Sequence, residues 1–194
     1  MTVYPFKAPV LGQGFTFDDR KAESGKANPI SLMERLIAAD VRNANVIKPY
    51  LGSEEINNSP THSHHRYVID FFDRPLARAE DGVSWFKLSE ETRRQQLRVG
   101  IVAPDYPNEV SHAWPEVIEI VERLVKPERD PQTRDALRAR WWQYAEKRPG
   151  LYAALAKSGG GFATGAAAVM HHMIAPVTVG RIYSHKVFLF VDNT

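Results

Sequence analysis

Apolar and polar positions follow one another along this chain in two periods, one helical and one extended. The clearest helical stripe begins at Pro115, a residue favoured at the first position of a helix, and Lys126-Pro127 stops it. Ser31 with Glu34 matches a capping box, which predicts the start of an earlier helix. The apolar stripe of that earlier helix consists of Leu32, Met33, Leu36 and Ile37.

Three further segments have weaker helical patterns. A short helix is predicted after Asp40, carrying Val46 and Ile47 until Pro49 interrupts it. A longer helix is predicted over about 133–147, with a core stripe of Leu137, Trp141 and Tyr144. Another is expected from Leu151 to Ala156. Helices therefore account for much of the second half of the chain.

Runs of β-branched and aromatic residues predict strands at Arg66–Phe72, Thr178–Tyr183 and Val187–Val191. The last two look apolar enough to be buried on both faces. Residues 52–65 are rich in glycine, asparagine and proline and are expected to form a long loop. Residues 74–100 have no clear period, and we interpret them as a variable insertion. The pattern predicts an α+β fold, with a small β-sheet packed against several helices in a single domain spanning 1–194.

Composition excludes some classes of protein and leaves others open. The chain contains no cysteine, which rules out disulfides and thiolate metal sites and suits a reducing, cytoplasmic compartment. No run approaches the roughly 18 apolar residues that span a bilayer, and the first residues lack the pattern of a signal peptide, so we expect a soluble protein without a membrane partner. The formal charge of +2 is too small to identify a partner.

Few residues form a recognisable catalytic or metal-binding pattern. His62, His64 and His65 are close enough in sequence to suggest zinc, but no carboxylate follows at a suitable spacing, so we predict no metal site. Asp105 after Pro104 would be half of a magnesium-dependent nuclease site, and no Glu-X-Lys completes it. The glycines at 159–161 are not followed by a phosphate-loop lysine. We therefore predict no catalytic residue in this chain.

A basic segment with interleaved aromatic residues keeps nucleic-acid binding open. Residues 120–148 carry eight lysines or arginines against five acids, with Trp141, Trp142 and Tyr144 among them. Such cations can neutralise phosphates while the aromatic residues hold the segment in place. The alternative is an ordinary solvated face with surface ion pairs.

Several motifs occur in the order found in one family of proteins. They are Gly12-Gln13-Gly14-Phe15, the segment Asn45 to Asn57 with its Lys-Pro-Tyr-Leu-Gly, His65-Arg66-Tyr67-Val68-Ile69, Val125-Lys126-Pro127-Glu128-Arg129, Arg140-Trp141-Trp142-Gln143-Tyr144, and Arg181-Ile182-Tyr183-Ser184-His185 with Phe188 and Phe190. Together they resemble the target-recognition domain of MmeI-like (Type IIL) restriction-modification proteins and related adenine-specific DNA methyltransferases. The resemblance covers nearly the whole chain.

The resemblance implies a module that sits on double-stranded DNA and reads base edges while a separate methyltransferase domain or subunit, with S-adenosylmethionine, flips and methylates adenine. This chain itself would hold no cofactor, and it would be truncated at its C-terminal end. The hypothesised phosphate contacts are Lys48, Arg66, Lys126, Arg129, Arg138 and Arg140. The hypothesised base contacts are Thr178, Arg181, Ser184, His185 and Lys186.

Each of these assignments has a competing interpretation. Arg66 would also be explained by an ion pair with Glu54 or Glu55 inside the fold, and Arg129 by capping a helix end. At the level of the whole chain, two alternatives remain. One is a protein-interaction or scaffold remnant that does not bind DNA, and the other is a metal-dependent nuclease.

Overall fold

A computed structural model of the protein describes residues 2–4, 13–59, 61–145, 147–166 and 173–191. The helices are α1 Asp19–Ala22, α2 Ile30–Ala39, α3 Ser53–Asn58, α4 Glu90–Val99, α5 Pro115–Leu124, α6 Lys126–Arg129, α7 Asp135–Ala139 and α8 Pro149–Ser158. The strands are β1 Thr2–Tyr4, β2 Thr16–Phe17, β3 Ile47–Leu51, β4 Arg66–Ile69, β5 Ala77–Arg78, β6 Ile101–Val102, β7 Gly161–Gly165, β8 Ile174–Val177, β9 Ile182–Tyr183 and β10 Val187–Val191. Short 3-10 helices lie at Gln13–Phe15, Val41–Asn45, Trp85–Lys87 and Ser111–Ala113.

The strands form two four-stranded sheets and one small parallel pair. The first sheet has the order β2-β4-β3-β9, in which β9 runs parallel to β3 and the other pairs are antiparallel. The second sheet has the order β1-β10-β7-β8 and is antiparallel throughout. Strands β5 and β6 pair in parallel on their own. Small sheets packed with several helices confirm the predicted α+β class.

Each large sheet has its own hydrophobic cluster. The first cluster surrounds β2, β3 and β4 and consists of Phe15, Phe17, Met33, Leu36, Val46, Ile47, Ile69, Phe71, Trp114, Val117, Ile118, Ile120, Val121, Val125, Trp141, Trp142 and Tyr144. The second cluster lies between the second sheet, α3 and α8 and consists of Leu51, Ile56, Leu151, Ala154, Leu155, Ala163, Ala175, Val177, Tyr183, Val187, Leu189 and Val191. Strands β3 and β9 pass from one cluster to the other, since Ile182 packs against the first and Tyr183 belongs to the second.

Four predicted elements are confirmed. Helix α5 begins at Pro115 and buries Val117, Ile120 and Val121 of its predicted stripe, whereas Leu124 is 37% exposed. Helix α2 buries Met33 and Leu36. Helix α8 extends the segment predicted from Leu151, and β10 has the bounds that the sequence predicts. The buried residues of each of these elements face one cluster.

Other predictions are wrong in detail. Ser31 does not cap α2: the N-cap is Pro29, and the carboxylate of Asp19 accepts a hydrogen bond from Ile30 N at 2.7 Å. The segment after Asp40 forms a 3-10 helix only to Asn45, and Pro49 lies within β3. The predicted loop 52–65 contains α3, whose first turn is held by Glu55.

The largest error concerns the helix predicted over 133–147. Of its described residues only Asp135–Ala139 is helical, and the chain then turns so that four consecutive side chains, 141–144, are all buried. A helix that buries one face would not bury four neighbours in a row, because they point in different directions. Helix α4 was likewise missed: within 74–100, Ser89 caps its N-terminus and Gly100, at φ +90°, ends it.

The strands near the C-terminal side also differ from expectation. Residues 178–181 form a turn, so the predicted strand is reduced to β9, and a strand not assigned from sequence, β8, precedes it. Strand β10 alternates buried and exposed positions, so it is buried on one face only. No helix among the described residues is long and apolar enough to cross a membrane.

Candidate nucleic-acid interface

Arg66, a hypothesised phosphate contact, lies in an ion pair inside the fold. Its Nε and Nη2 donate to the two carboxylate oxygens of Glu55 at 2.7 and 2.6 Å, and its guanidinium lies 5.1 Å from the ring centre of Tyr50. Gly52 N donates to the same carboxylate at 2.9 Å. The side chain of Glu55 is fully buried and that of Arg66 is 11% exposed. The structure therefore shows Arg66 in the ion pair with Glu55, which was the alternative to a phosphate contact.

The protonation of this pair follows from its surroundings. Burial alone would raise the pKa of Glu55, but the hydrogen bonds and charge of Arg66, together with backbone hydrogen bonds to the carboxylate, hold the pKa below its usual value. His65 adds a nearby ring nitrogen, its Nδ1 lying 3.3 Å from the Glu55 carboxylate. The pair ties α3 to β4, so the Lys-Pro-Tyr-Leu-Gly and His-Arg-Tyr motifs serve to build the fold.

Arg129 is also used internally. Its Nη1 donates to the carbonyl of Gln143 at 2.5 Å and to that of Arg140 at 3.4 Å, and its guanidinium lies 5.2 Å from the ring centre of Phe15. Burial lowers the pKa of Arg129, whose side chain is held among the first-cluster residues. It stabilises the turn after α7, close to the capping role considered from sequence. The guanidinium groups of Arg66 and Arg129 are therefore not available to contact phosphates at the surface.

The other four phosphate candidates reach the surface. Lys126 pairs with Glu122 at 2.9 Å and Arg138 pairs with Asp135, both on exposed helical faces. Surface pairs of this kind contribute about 0–1 kcal/mol, so a phosphate can replace the carboxylate. Arg140 has no side-chain partner among the described residues, and Lys48 has only a long hydrogen bond of 3.5 Å to a backbone carbonyl.

The five base-contact candidates lie on the chain between β8 and β10, and that segment is fixed by its own hydrogen bonds. Ser184 is buried: its N donates to Leu51 O at 2.8 Å, and its Oγ accepts from Lys186 N at 3.2 Å. Ser184 is therefore a turn residue that faces inward. The Ser53 hydroxyl donates to the carbonyl of Lys186, and the Tyr183 hydroxyl donates to that of Thr178 at 2.6 Å.

The remaining candidates, Thr178, Arg181, His185 and Lys186, have half-buried or exposed side chains. They do not form one cluster. Val177, before Thr178, pairs with Gly161, whereas Val187, after Lys186, pairs with Gly165 at the other end of β7. Four residues of strand separate these ends by about 13 Å. Burial lowers the pKa of His64, and the positive charge of Arg181 lowers it further. Arg181 therefore lies near the residues that precede β4.

The histidines and Asp105 have structural partners that account for them. His62 Nδ1 lies 3.0 Å from the carbonyl of Ile56, and His64 packs edge-on against Tyr67. Asp105 accepts hydrogen bonds from Ser84 Oγ at 2.5 Å and Trp85 N at 2.6 Å. Within the described ranges no three histidine or acidic side chains converge on a common point. His171 and His172 lie outside those ranges.

Comparison with known proteins supports one statement about the fold. No protein-family model matches the chain, and no curated protein sequence matches it significantly. Among solved structures it is similar to part of the Type IIL restriction-modification enzyme MmeI, whose structure was solved in complex with DNA. The TM-score is 0.52 at 10% identity, over 100% of this chain and 19% of that one. The chain thus has a fold related to that of a segment making up about a fifth of the enzyme.

Proposed function

We propose that this chain is a DNA sequence-recognition module of a restriction-modification or adenine-N6 methyltransferase system, which positions a separate catalytic domain on duplex DNA. The observation that carries the proposal is the fold similarity of the entire chain to a segment of an enzyme whose structure was solved with DNA. The ordered sequence motifs point to the same family. S-adenosylmethionine would bind to the separate catalytic domain.

The segment 178–186 is suited to reading base edges. Its backbone is anchored at Thr178, Ser184 and Lys186 by the hydrogen bonds described above. Arg181 and Lys186 have no acidic partner among the described side chains, so their donors are available to base or phosphate oxygens. Cations held on a rigid turn need little reordering when they bind, which favours discrimination between sequences.

Phosphate contacts would come from Lys48, Lys126, Arg138 and Arg140. Such contacts fix the register of a protein on DNA and make its affinity depend on salt. The test is fluorescence anisotropy with labelled duplexes over a salt series from about 50 to 200 mM. A steep linear fall of log affinity with log salt is expected, and binding that is absent at low salt would reject the proposal.

A second candidate, a protein-interaction scaffold, is favoured by one specific observation. On the outer face of the second sheet, Phe162, Ile174 and Phe188 are 53, 66 and 37% exposed. Their strands are paired so that Ile174 and Phe188 flank Thr164 in the middle strand. Apolar side chains grouped on one sheet face often mark a contact surface. This candidate predicts no salt-sensitive duplex binding in the anisotropy experiment.

A further inference from the structure

A cleft of about 730 Å³ opens between α4 and the chain that runs from α7 to Lys147. Helix α4 turns Arg94, Leu97 and Arg98 towards it at positions i, i+3 and i+4, which share one face of a helix. Helix α7 contributes Ala136 and Ala139, whose small side chains leave the space open. The volume lies within the range of about 300–1,000 Å³ found for small-molecule sites.

The floor beside the cleft is rigid. Gly100 ends α4 directly over Trp142, and a Cβ at this glycine would lie 2.2 Å from the ring carbon Cη2 of that tryptophan. Trp142 Nε1 donates to the carbonyl of Arg74 at 3.0 Å, and Gln143 Nε2 donates to the same carbonyl at 2.6 Å. The cleft therefore lies against the first cluster.

Unpaired cations give the cleft its charge. Lys147 is neutralised by Asp73 at 2.5 Å, and Arg94 by Glu90 one turn earlier in α4. Arg98 and Arg140 also line the cleft, and neither side chain has a hydrogen bond or ion pair with any described residue. Asp135 of α7 also lines the cleft and pairs with Arg138. The two free guanidinium groups are suited to a phosphate, because an arginine can donate two parallel hydrogen bonds to phosphate oxygens.

The rest of the wall is apolar, with one unsatisfied polar atom. Leu97 is 38% exposed, and the ring of Tyr106 is held edge-on by Trp85 at a centroid distance of 4.7 Å. Gln143 also lines the cleft, and its buried Oε1 has no donor among the described residues. Aliphatic and aromatic surface suits the planar face of a base.

We propose that this cleft binds a nucleotide, with its phosphate on Arg98 and Arg140 and its base against Leu97 and Tyr106. The nucleotide is either a free nucleoside monophosphate or one unit of an unpaired DNA strand, and both present the same phosphate and base. The site is separate from the turns at 178–186. The cleft shares Arg140 with the duplex phosphate contacts proposed above, whereas Leu97 and Arg98 belong to the cleft alone. Failure of the nucleotide proposal would leave salt-sensitive duplex binding by the parent chain intact, and Arg98→Gln tests the cleft without removing a duplex contact.

The experiment is isothermal titration of the full chain with deoxyadenosine monophosphate, a six-nucleotide single strand and inorganic phosphate. Arg98→Gln and Arg140→Gln are each expected to weaken nucleotide binding about tenfold, the effect of one lost charged hydrogen-bond pair. Arg35→Gln is the matched control, an exposed arginine of α2 that does not line the cleft. Unfolding midpoints of all three variants establish that they fold.

Binding of the monophosphate supports a free nucleotide as ligand, and binding of the single strand alone supports a nucleotide within DNA. Leu97→Asp should abolish either without unfolding the protein, because Leu97 is partly exposed. The proposal is overturned if Arg98→Gln and Arg140→Gln bind both probes as tightly as the parent chain. It is also overturned if inorganic phosphate binds as tightly as the nucleotide, since the base wall would then contribute nothing.

Discussion

The two hydrophobic clusters are built differently. The large side chains of the first also anchor the backbone: Trp114 Nε1 donates to Arg42 O at 2.8 Å, and the Tyr144 hydroxyl donates to Ile69 O. The second lies on one face of its sheet, while the opposite face leaves Phe162, Ile174 and Phe188 exposed. The first cluster therefore combines apolar burial with hydrogen bonds from its large side chains, and the second combines a core with an exposed apolar surface.

The largest expected effect is in the first cluster. Trp142→Ala should lower the free energy of unfolding by about 3–5 kcal/mol, because it removes a buried ring and leaves the Arg74 carbonyl with one donor fewer. Urea unfolding followed by circular dichroism measures the change. Trp85→Ala, at a half-buried position, is the control and should cost about 1 kcal/mol. Equal losses would show that burial in the first cluster does not make Trp142 more important for stability than the half-buried Trp85.

Loss of the ion pair between Arg66 and Glu55 should have the next largest effect on stability. Arg66→Ala leaves the buried carboxylate of Glu55 without its cation, and we expect a loss of about 3 kcal/mol in urea unfolding. Arg20→Ala removes an exposed pair with Glu54 and should change stability by less than about 1 kcal/mol. A loss for Arg66→Ala no larger than that for Arg20→Ala would show that the pair is dispensable.

The same pair predicts a pH dependence. Because Arg66 holds the pKa of folded Glu55 below its unfolded value, this group stabilises the fold above about pH 4.5, and the contribution is lost as the pH falls through the folded pKa. Unfolding of the parent chain and of Glu55→Gln should be measured between about pH 3 and 7. The stability difference between them should shrink towards low pH, and a constant difference would argue against the lowered pKa.

Variants in the turns between β8 and β10 are expected to change sequence preference, whereas variants of the phosphate contacts are expected to change the affinity for all duplexes. Arg181→Ala is expected to cost about 1–3 kcal/mol on the preferred duplex and much less on others. Arg138→Ala should weaken all duplexes about equally and reduce the salt slope by about 1. Selection from a random duplex pool, followed by anisotropy, measures both effects. Uniform weakening by both variants would reject the base-reading role of Arg181.

The smallest effect is expected on the outer face of the second sheet. Phe188→Ser should change the free energy of unfolding by about 0.5 kcal/mol or less, because its side chain is already partly in water. Its neighbour Leu189 points into the second cluster, and Leu189→Ala should cost about 2–5 kcal/mol. If Phe188→Ser proved as costly as Leu189→Ala in urea unfolding, the outer face would be part of a core.

Sequence predicted the elements whose stripes are long and regular, such as α5 with Pro115 at its first position. It failed where tertiary contacts override the period. Residues 141–144 are all buried because the chain turns through the first cluster. The strand predicted over Thr178–Tyr183 is reduced to the two residues of β9 that pair with Tyr50 and Leu51.

The candidate site was only partly predictable for a related reason. The sequence shows that Arg66 and Arg129 are cations, but it does not show whether they are exposed. Their exposure depends on which residues the fold brings beside them. Glu55 and the carbonyl of Gln143 are 11 and 14 residues away from their arginine partners. The sequence predicted Ser184 as a base contact, but its N–H donates to the carbonyl of Leu51 and the residue is buried.

The parallel pairing of β3 with β9 has a consequence for the order in which the protein folds. Residues 50–51 contact residues 182–183, and Ser53 bonds to the carbonyl of Lys186 across 133 positions. Contacts so distant in sequence form slowly, because a long stretch of chain must first be brought together. During synthesis the open side of β3 stays unpaired until residues 182–183 have emerged, so an unpaired edge is exposed in the nascent protein.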